Sequence, residues 1–288
     1  MKTLRDYIRD ARNERVAIGH FNISNLEGLH AIFEAGRELD LPIIIGTSEG
    51  ERKFVGVHEA VALVKTLREK YDYPIFLNAD HTYSFEGVVE AIDAGYDAVI
   101  FDGVKLPLEE NIAVTKKCVE YARKSGRDVL VEAELGNIGQ SSKVLDEVPD
   151  GVATEAYMTS VEEAENFVKE TGVDLLSAAV GNMHGMLKGK ANPKINTERI
   201  KDIAEKANVP LVLHGGSGIS DDDFRASIKA GISIVHINTE IRIAYKEALQ
   251  DFLSENPEEI APYRILAPAQ EAIKQKVIDR LKLFNDIN

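Results

Sequence analysis

With 288 residues and a formal net charge of −14 at pH 7, the chain is long enough for one large α/β domain and too acidic for general nucleic-acid binding. A hydrophobic fraction of 44% beside 28% charged residues fits a globular protein, not a disordered or membrane-embedded one. No run of about 18 uncharged apolar residues occurs, and the N-terminal MKTLRDYIRDARNER is a charged amphipathic helix without an apolar signal core, so the expected location is the cytoplasm, with no membrane partner.

From there to the C-terminus, short apolar runs alternate with segments carrying i, i+3, i+4 apolar spacing. VAIGHF (16–21) is followed by the helical LEGLHAIFEAGREL, LPIIIGTS (41–48) by HEAVALVKTLREKY, PIFLNAD (74–80) by FEGVVEAIDAG, and DAVIFDG (97–103) by EENIAVTKKCVEYARKSG. DVLVEAELG (128–136) precedes VEEAENFVKETG, DLLSAAVG (174–181) precedes TERIKDIAEKA, PLVLHGG (210–216) precedes DDDFRASIKAG, and SIVHINT (233–239) precedes IRIAYKEALQDFLSEN. Gly95, Gly126, Gly172 and Gly231 stand where helices end. The only cysteine, Cys118, falls in a helical pattern, which leaves no disulfide framework and no cysteine-based metal site.

Eight such units, with crossovers long enough for right-handed βαβ connections and no hairpin signal, predict a (β/α)8 TIM barrel over residues 1–288 as one domain. A doubly wound open sheet is the alternative. Two irregular stretches, 136–159 and 184–194, are long enough to be functional or mobile. An extra C-terminal helix, PAQEAIKQKVIDRLKLF (268–284), lies outside the repeats and is expected to cap the barrel or meet a partner subunit.

Barrel active sites lie at the carboxyl ends of the strands, and the polar oddities collect there. Asp80 and His81 end the third strand, Glu132 and Glu134 lie on the fifth, His184 follows the sixth, His214 ends the seventh, and His236 and Asn238 lie on the eighth. Ser48 ends the second, and His20 and Asn22 close the first; His30 and His58 fall in helices and read as solvated or core-edge residues. His81, His184 and His214 come from different strand ends facing one mouth, an arrangement that can hold zinc while leaving a position open for water or substrate. Each alone would be an ordinary hydrogen-bonded rim histidine.

Glycine-rich HGGSG (214–218) and VHINTE (235–240) each open a helix, and such turns expose backbone N–H groups able to surround a phosphate. Lys188 is the candidate side-chain cation for that anion. Two ordinary βα turns are the plainer reading.

With these residues in view, the chain resembles the class II, metal-dependent fructose-bisphosphate and tagatose-bisphosphate aldolases, from FNISNLEG to beyond the eighth strand. NADH, VEAELG, TGVDLLSAAVGNMHG and LVLHGGSGIS are similar to that family's signatures in kind and order. The resemblance implies a (β/α)8 barrel, a homodimer or homotetramer, and cleavage or formation of a ketose (bis)phosphate through a zinc-stabilised enediolate, with dihydroxyacetone phosphate and an aldehyde as products. It also implies a place in carbohydrate metabolism, such as glycolysis. His81, His184 and His214 then correspond to the zinc ligands. Asp80 and Glu134 correspond to catalytic residues, Asp80 exchanging a proton with the aldehyde-derived oxygen, and Glu132 to a residue orienting a ligand. Ser48, Gly185, Lys188, Gly216, Ser217, His236, Asn238 and Thr239 correspond to substrate contacts, with a monovalent cation, Na⁺ or K⁺, beside the phosphate in some members.

Two departures stand out. The loop after ELG reads GNIGQSSKVLDEV, so Ser142 and Lys143 occupy the family's acidic positions, and Asp146 or Glu147 becomes the expected loop base. His236 stands where the family has an asparagine. Both leave open a related sugar-phosphate lyase or isomerase, or a non-catalytic companion subunit or sensor.

Overall fold

The computed structural model describes residues 2–139 and 142–287; Gln140 and Ser141, in the loop with the altered acidic positions, lie outside the described residues. The strands are β1 (Ile18–Asn22), β2 (Ile43–Thr47), β3 (Ile75–Thr82), β4 (Ala98–Phe101), β5 (Leu130–Leu135), β6 (Val144–Leu145), β7 (Leu175–Ala178), β8 (Met186–Leu187), β9 (Leu211–Leu213) and β10 (Ile232–Ile237). The first six helices are α1 (Leu4–Glu14), α2 (Leu26–Leu39), α3 (Glu49–Val55), α4 (Val57–Tyr71), α5 (Phe85–Ala94) and α6 (Leu108–Lys124). The remaining five are α7 (Val161–Thr171), α8 (Thr197–Ala207), α9 (Asp221–Ala230), α10 (Thr239–Glu255) and α11 (Pro262–Phe284).

Eight strands close in the order β1-β10-β9-β7-β5-β4-β3-β2, all neighbours parallel, and the pairing of β1 with β10 excludes the open-sheet alternative. Their apolar runs are nearly continuous, as a sheet covered on both faces requires; β2 and β5 are buried along their whole length. Side-chain caps set the entry of most helices. Ser84 accepts from Gly87 N–H at α5, and Ser160 from Glu163 N–H at α7, where the Glu163 side chain reciprocates in a capping box.

The amino end of the barrel is closed by α1. Its Leu4, Ile8 and Ala11 cluster with Ile18, Ile44, Phe76, Ala98, Leu130, Leu175, Val212 and Ile234, drawn from all eight barrel strands. That plug leaves the opposite mouth as the open one. The C-terminal helix instead lies on the outside, packed against α2 and α10, with Ile273, Val277 and Leu281 buried in the main core.

Three local features were not expected from sequence. The segment after β2 forms α3. The last helix starts at Pro262, at its favoured first-turn position, and runs through Pro268. The two irregular stretches meet through β6 and β8, which pair in parallel with Val144 opposite Met186 and Leu145 opposite Leu187. A long loop over the mouth is thereby tied to the segment that follows His184.

Candidate active site

Successive strand residues point to opposite faces, so an adjacent pair such as Asp80–His81 would not normally serve one site. Here β3 breaks that rule. Its register against β4 shifts between Ala79 and Thr82, and His81 takes φ 41°, a left-handed backbone that a residue with a Cβ adopts only when its surroundings enforce it. Both side chains consequently line the cleft at the carboxyl ends of the strands.

His81, Glu134, His184 and His214 each offer an atom to one spot, with all four atoms within 4.8 Å of one another. Among the described residues, His184 Nε2, His214 Nδ1 and Glu134 Oε2 are buried without a hydrogen-bond partner. A buried polar atom left unpaired is unfavourable by about 1–3 kcal/mol, and a cation removes that penalty for several atoms at once. Behind these atoms sit two carboxylates. Asp102 Oδ2 is 2.8 Å from His81 Nδ1, and Glu132 Oε1 is 2.9 Å from His214 Nε2, the carboxylate–histidine pairing that fixes ring orientation in metal sites. Asn182 ties the segments carrying His184 and His214 together by donating to the His214 carbonyl at 2.9 Å.

The electrostatics follow from this packing. Burial disfavours a charged His81 ring, but Asp80, Asp102 and Glu134 outweigh it and push the ring up to about 9. His214 is likewise held well above the usual histidine range, its burial overcome by Glu132 and Glu134. His184 has no carboxylate bonded to it, and burial, with the neighbouring His81 and His214, carries it well below. Burial would keep Asp80 neutral, yet His81, His236 and His20 hold its carboxyl well below the usual range, so it is ionised.

Asp80 is also held in place mechanically. Its Oδ2 accepts from Asn22 Nδ2 at 2.8 Å, and its backbone carbonyl accepts from the buried Arg52 at 3.0 Å. Beside it, His20 and His236 stack with centroids 3.5 Å apart and planes 5° from parallel, and His236 in turn lies 4.1 Å from His214. His20, Asp80 and His236 also lie close enough together to suggest a cation site, but lone pairs in two parallel stacked planes cannot converge on one ion.

Of the remaining sequence candidates, Ser48, Gly185, Gly216, Ser217, His236, Asn238 and Thr239 line the cleft, which has a volume of about 690 Å³. Lys188 does not line it and is exposed. Asp146 and Glu147 are exposed outside the lining too, whereas Ser142 and Lys143 face the cleft. Ser217 Oγ accepts from the N–H groups of Asn238 at 3.3 Å and Glu240 at 3.2 Å, which leaves its proton free to donate. Gly215 must be glycine: at φ 62° an added Cβ would sit 2.3 Å from the Met183 carbonyl oxygen.

Sequence reasoning passed over Asp102, Arg52, Glu51, Tyr83 and Arg242. For Asp102 a signal existed, an acid ending a barrel strand in VIFDG. Arg52 and Glu51 lie in the unforeseen α3, and Arg242 looks like any first-turn helix residue until α10 is placed beside the mouth.

Comparison with known proteins agrees with this geometry. Residues 2–288 match the family described as fructose-bisphosphate aldolase class-II. The chain is 38% identical over 289 residues to a fructose-bisphosphate aldolase of Staphylococcus aureus (strain Mu50 / ATCC 700699), covering 99% of this chain and 98% of that one. It is 37% identical over 289 residues to a probable fructose-bisphosphate aldolase of Bacillus subtilis (strain 168), with the same coverage. Among solved structures, the YdjI aldolase from Escherichia coli K12 is similar with a TM-score of 0.81 at 30% identity, over 98% of this chain and 96% of that one. A whole-chain family match and relatives of this identity and coverage, on a closed barrel with these residues at its mouth, establish that the chain belongs to the class II, metal-dependent fructose-bisphosphate aldolase family.

Proposed function

We propose that this aldolase splits a ketose phosphate into dihydroxyacetone phosphate and an aldehyde, and joins them in reverse, with zinc held by His81, His184 and His214. The observation carrying the proposal is the convergence of those rings and Glu134 on one spot beside the ionised Asp80. Unpaired buried nitrogens on His184 and His214, backed by carboxylates on the opposite edges of His81 and His214, form a donor set suited to zinc. When bound there, the metal supplies Lewis acidity toward the ketose carbonyl.

In the cleavage direction, Asp80 takes the proton from the hydroxyl that becomes the aldehyde oxygen, and in the reverse direction returns it. Asn22 and Arg52 hold the Asp80 carboxylate and backbone in place for that transfer. The phosphate of the dihydroxyacetone half is received by the Gly215–Ser217 turn, Asn238 and Thr239, with Ser217 donating its free hydroxyl proton and Lys143 supplying charge. Lys188, at the edge of the loop, serves that phosphate only by long-range attraction. The proposal extends to a monovalent cation beside the phosphate and to a cytoplasmic homodimer or homotetramer. An oligomer accords with the exposed Ile260, just before α11, and Tyr263, in its first turn.

The test is release of dihydroxyacetone phosphate from a panel of ketose 1-phosphates and 1,6-bisphosphates, with and without chelator. A second measurement follows solvent deuterium entering dihydroxyacetone phosphate itself. Chelator-sensitive activity in both is expected. No release from any ketose and no exchange at any pH from about 6 to 9 would overturn the proposal.

A further inference from the structure

Asp80 is gripped at two points, and both grips trace to α3. Arg52 holds its backbone carbonyl at 3.0 Å, and Asn22 Nδ2 holds its Oδ2 at 2.8 Å. The same Asn22 nitrogen also donates to Glu51 Oε2, at 2.7 Å. One amide therefore bridges two carboxylates, and both of these are buried, Asp80 at 4% and Glu51 at 5% exposure. A side-chain amide donates only through nitrogen, so it can satisfy two carboxylates at once only with that nitrogen between them. Without Glu51, the orientation of the amide would rest on Asp80 alone.

Glu51 is itself clamped. Its Oε2 also receives the Ser48 N–H and hydroxyl, each at 2.8 Å, and its Oε1 receives the Arg242 guanidinium from α10. That guanidinium answers a buried charge that would be strongly unfavourable unpaired. Glu51 lies outside the cleft lining, whereas Asn22 and Asp80 are part of it, so the influence of Glu51 on the chemistry runs through Asn22.

The other oxygen of Asp80 is left open. Among the described residues Oδ1 is buried without a hydrogen-bond partner, and His236 Nδ1 stands 3.5 Å away, too far for a good bond. Fixing Oδ2 thus makes Oδ1 the oxygen available to the substrate.

We infer that Glu51 is a positioning residue for the C–C bond step: clamped by Arg242 and Ser48, it orients the Asn22 amide, which holds Asp80 Oδ2 and presents Oδ1 to the hydroxyl that becomes the aldehyde oxygen. The inference rests on the aldolase reading above.

The experiment compares two reactions of the zinc-loaded protein. One is release of dihydroxyacetone phosphate from whichever of fructose 1,6-bisphosphate, tagatose 1,6-bisphosphate and fructose 1-phosphate it cleaves fastest. The other is entry of solvent deuterium into dihydroxyacetone phosphate alone, which involves no aldehyde oxygen and bypasses the proton transfer by Asp80. Glu51→Ala should lower kcat for release by about 10- to 100-fold, as a misplaced catalytic group does, with KM, zinc content and exchange close to those of the wild type. Glu51→Gln keeps an acceptor oxygen for Asn22 but gives up the ion pair with Arg242, and should recover part of the lost kcat. Should the alanine variant fail to fold, the isosteric glutamine variant should still show reduced release with exchange intact. In an Asn22→Ala background, Glu51→Ala should lower kcat no further, because residues that act as one unit are not additive. Equal losses in release and exchange, a change confined to KM, an unaltered kcat, or additive losses in the double variant overturn the inference alone. Wild-type protein that shows neither release nor exchange overturns the aldolase reading itself.

Discussion

Glu132 Oε1 lies 2.9 Å from His214 Nε2, and both side chains are fully buried. The carboxylate therefore orients the ring so that Nδ1, the nitrogen without a partner, points toward Glu134 and the other two histidines. Glu132→Gln keeps the shape and removes the charge. Zinc affinity should fall by about 10- to 100-fold, as should that of Asp102→Asn, which acts the same way on His81. Competition with a chromogenic chelator measures it, and unchanged affinity in both would mean that these acids do not support ligands.

On the proposed assignment, ligand and acid/base roles should separate on mutation. His214→Ala should lose metal and activity together, read by elemental analysis and kcat. Asp80→Ala should retain the metal and lose rate by a factor on the order of 10² to 10⁴. Metal retained at full stoichiometry in His214→Ala would assign the ligand wrongly.

If zinc is held as proposed, it competes with protons for the same nitrogens. With His81 up to about 9 and His214 higher than usual in the metal-free protein, both rings must give up protons to bind. Affinity should therefore rise with pH between about 6 and 9, with protons released on binding into weakly buffered solution. The sign reverses for stability without metal. A ring raised above its unfolded value of about 6.5 stabilises the fold below that pH, and the contribution is lost as pH climbs through about 9. The metal-free protein should thus lose thermal stability on going from pH 6.5 to 9, which a melting series will detect.

Cys118 is buried in α6, and burial pushes its thiol up to about 12. The native protein should resist a thiol reagent at pH 8 and take up one equivalent once unfolded by denaturant. Rapid labelling of the folded chain would contradict this packing.

Gly215→Ala should be severely disruptive, since it combines a left-handed backbone with a Cβ driven into the Met183 carbonyl. A loss of about 1–3 kcal/mol in stability from the backbone alone is expected, with a weakened phosphate turn read as a raised KM. An unaltered melting point and KM would show that the turn tolerates a side chain.

The alternation of apolar runs and amphipathic segments determined the barrel, because a parallel sheet buried on both faces needs continuous apolar strands and long crossovers that leave their period in the sequence. The ring of His81, His184 and His214 was legible for a related reason: strand ends are known once strands are known, and barrel topology places them at one mouth. What the one-dimensional pattern could not contain was any contact between distant segments. The kink that turns Asp80 and His81 to the same side arises from a register shift against β4. The bonds of Asp102 and Glu132 to their histidines, the stacking of His20 on His236, and the capture of Arg242 by Glu51 each join residues from separate strands or helices. Such pairings depend on side-chain directions within a few ångströms, which only the closed barrel sets.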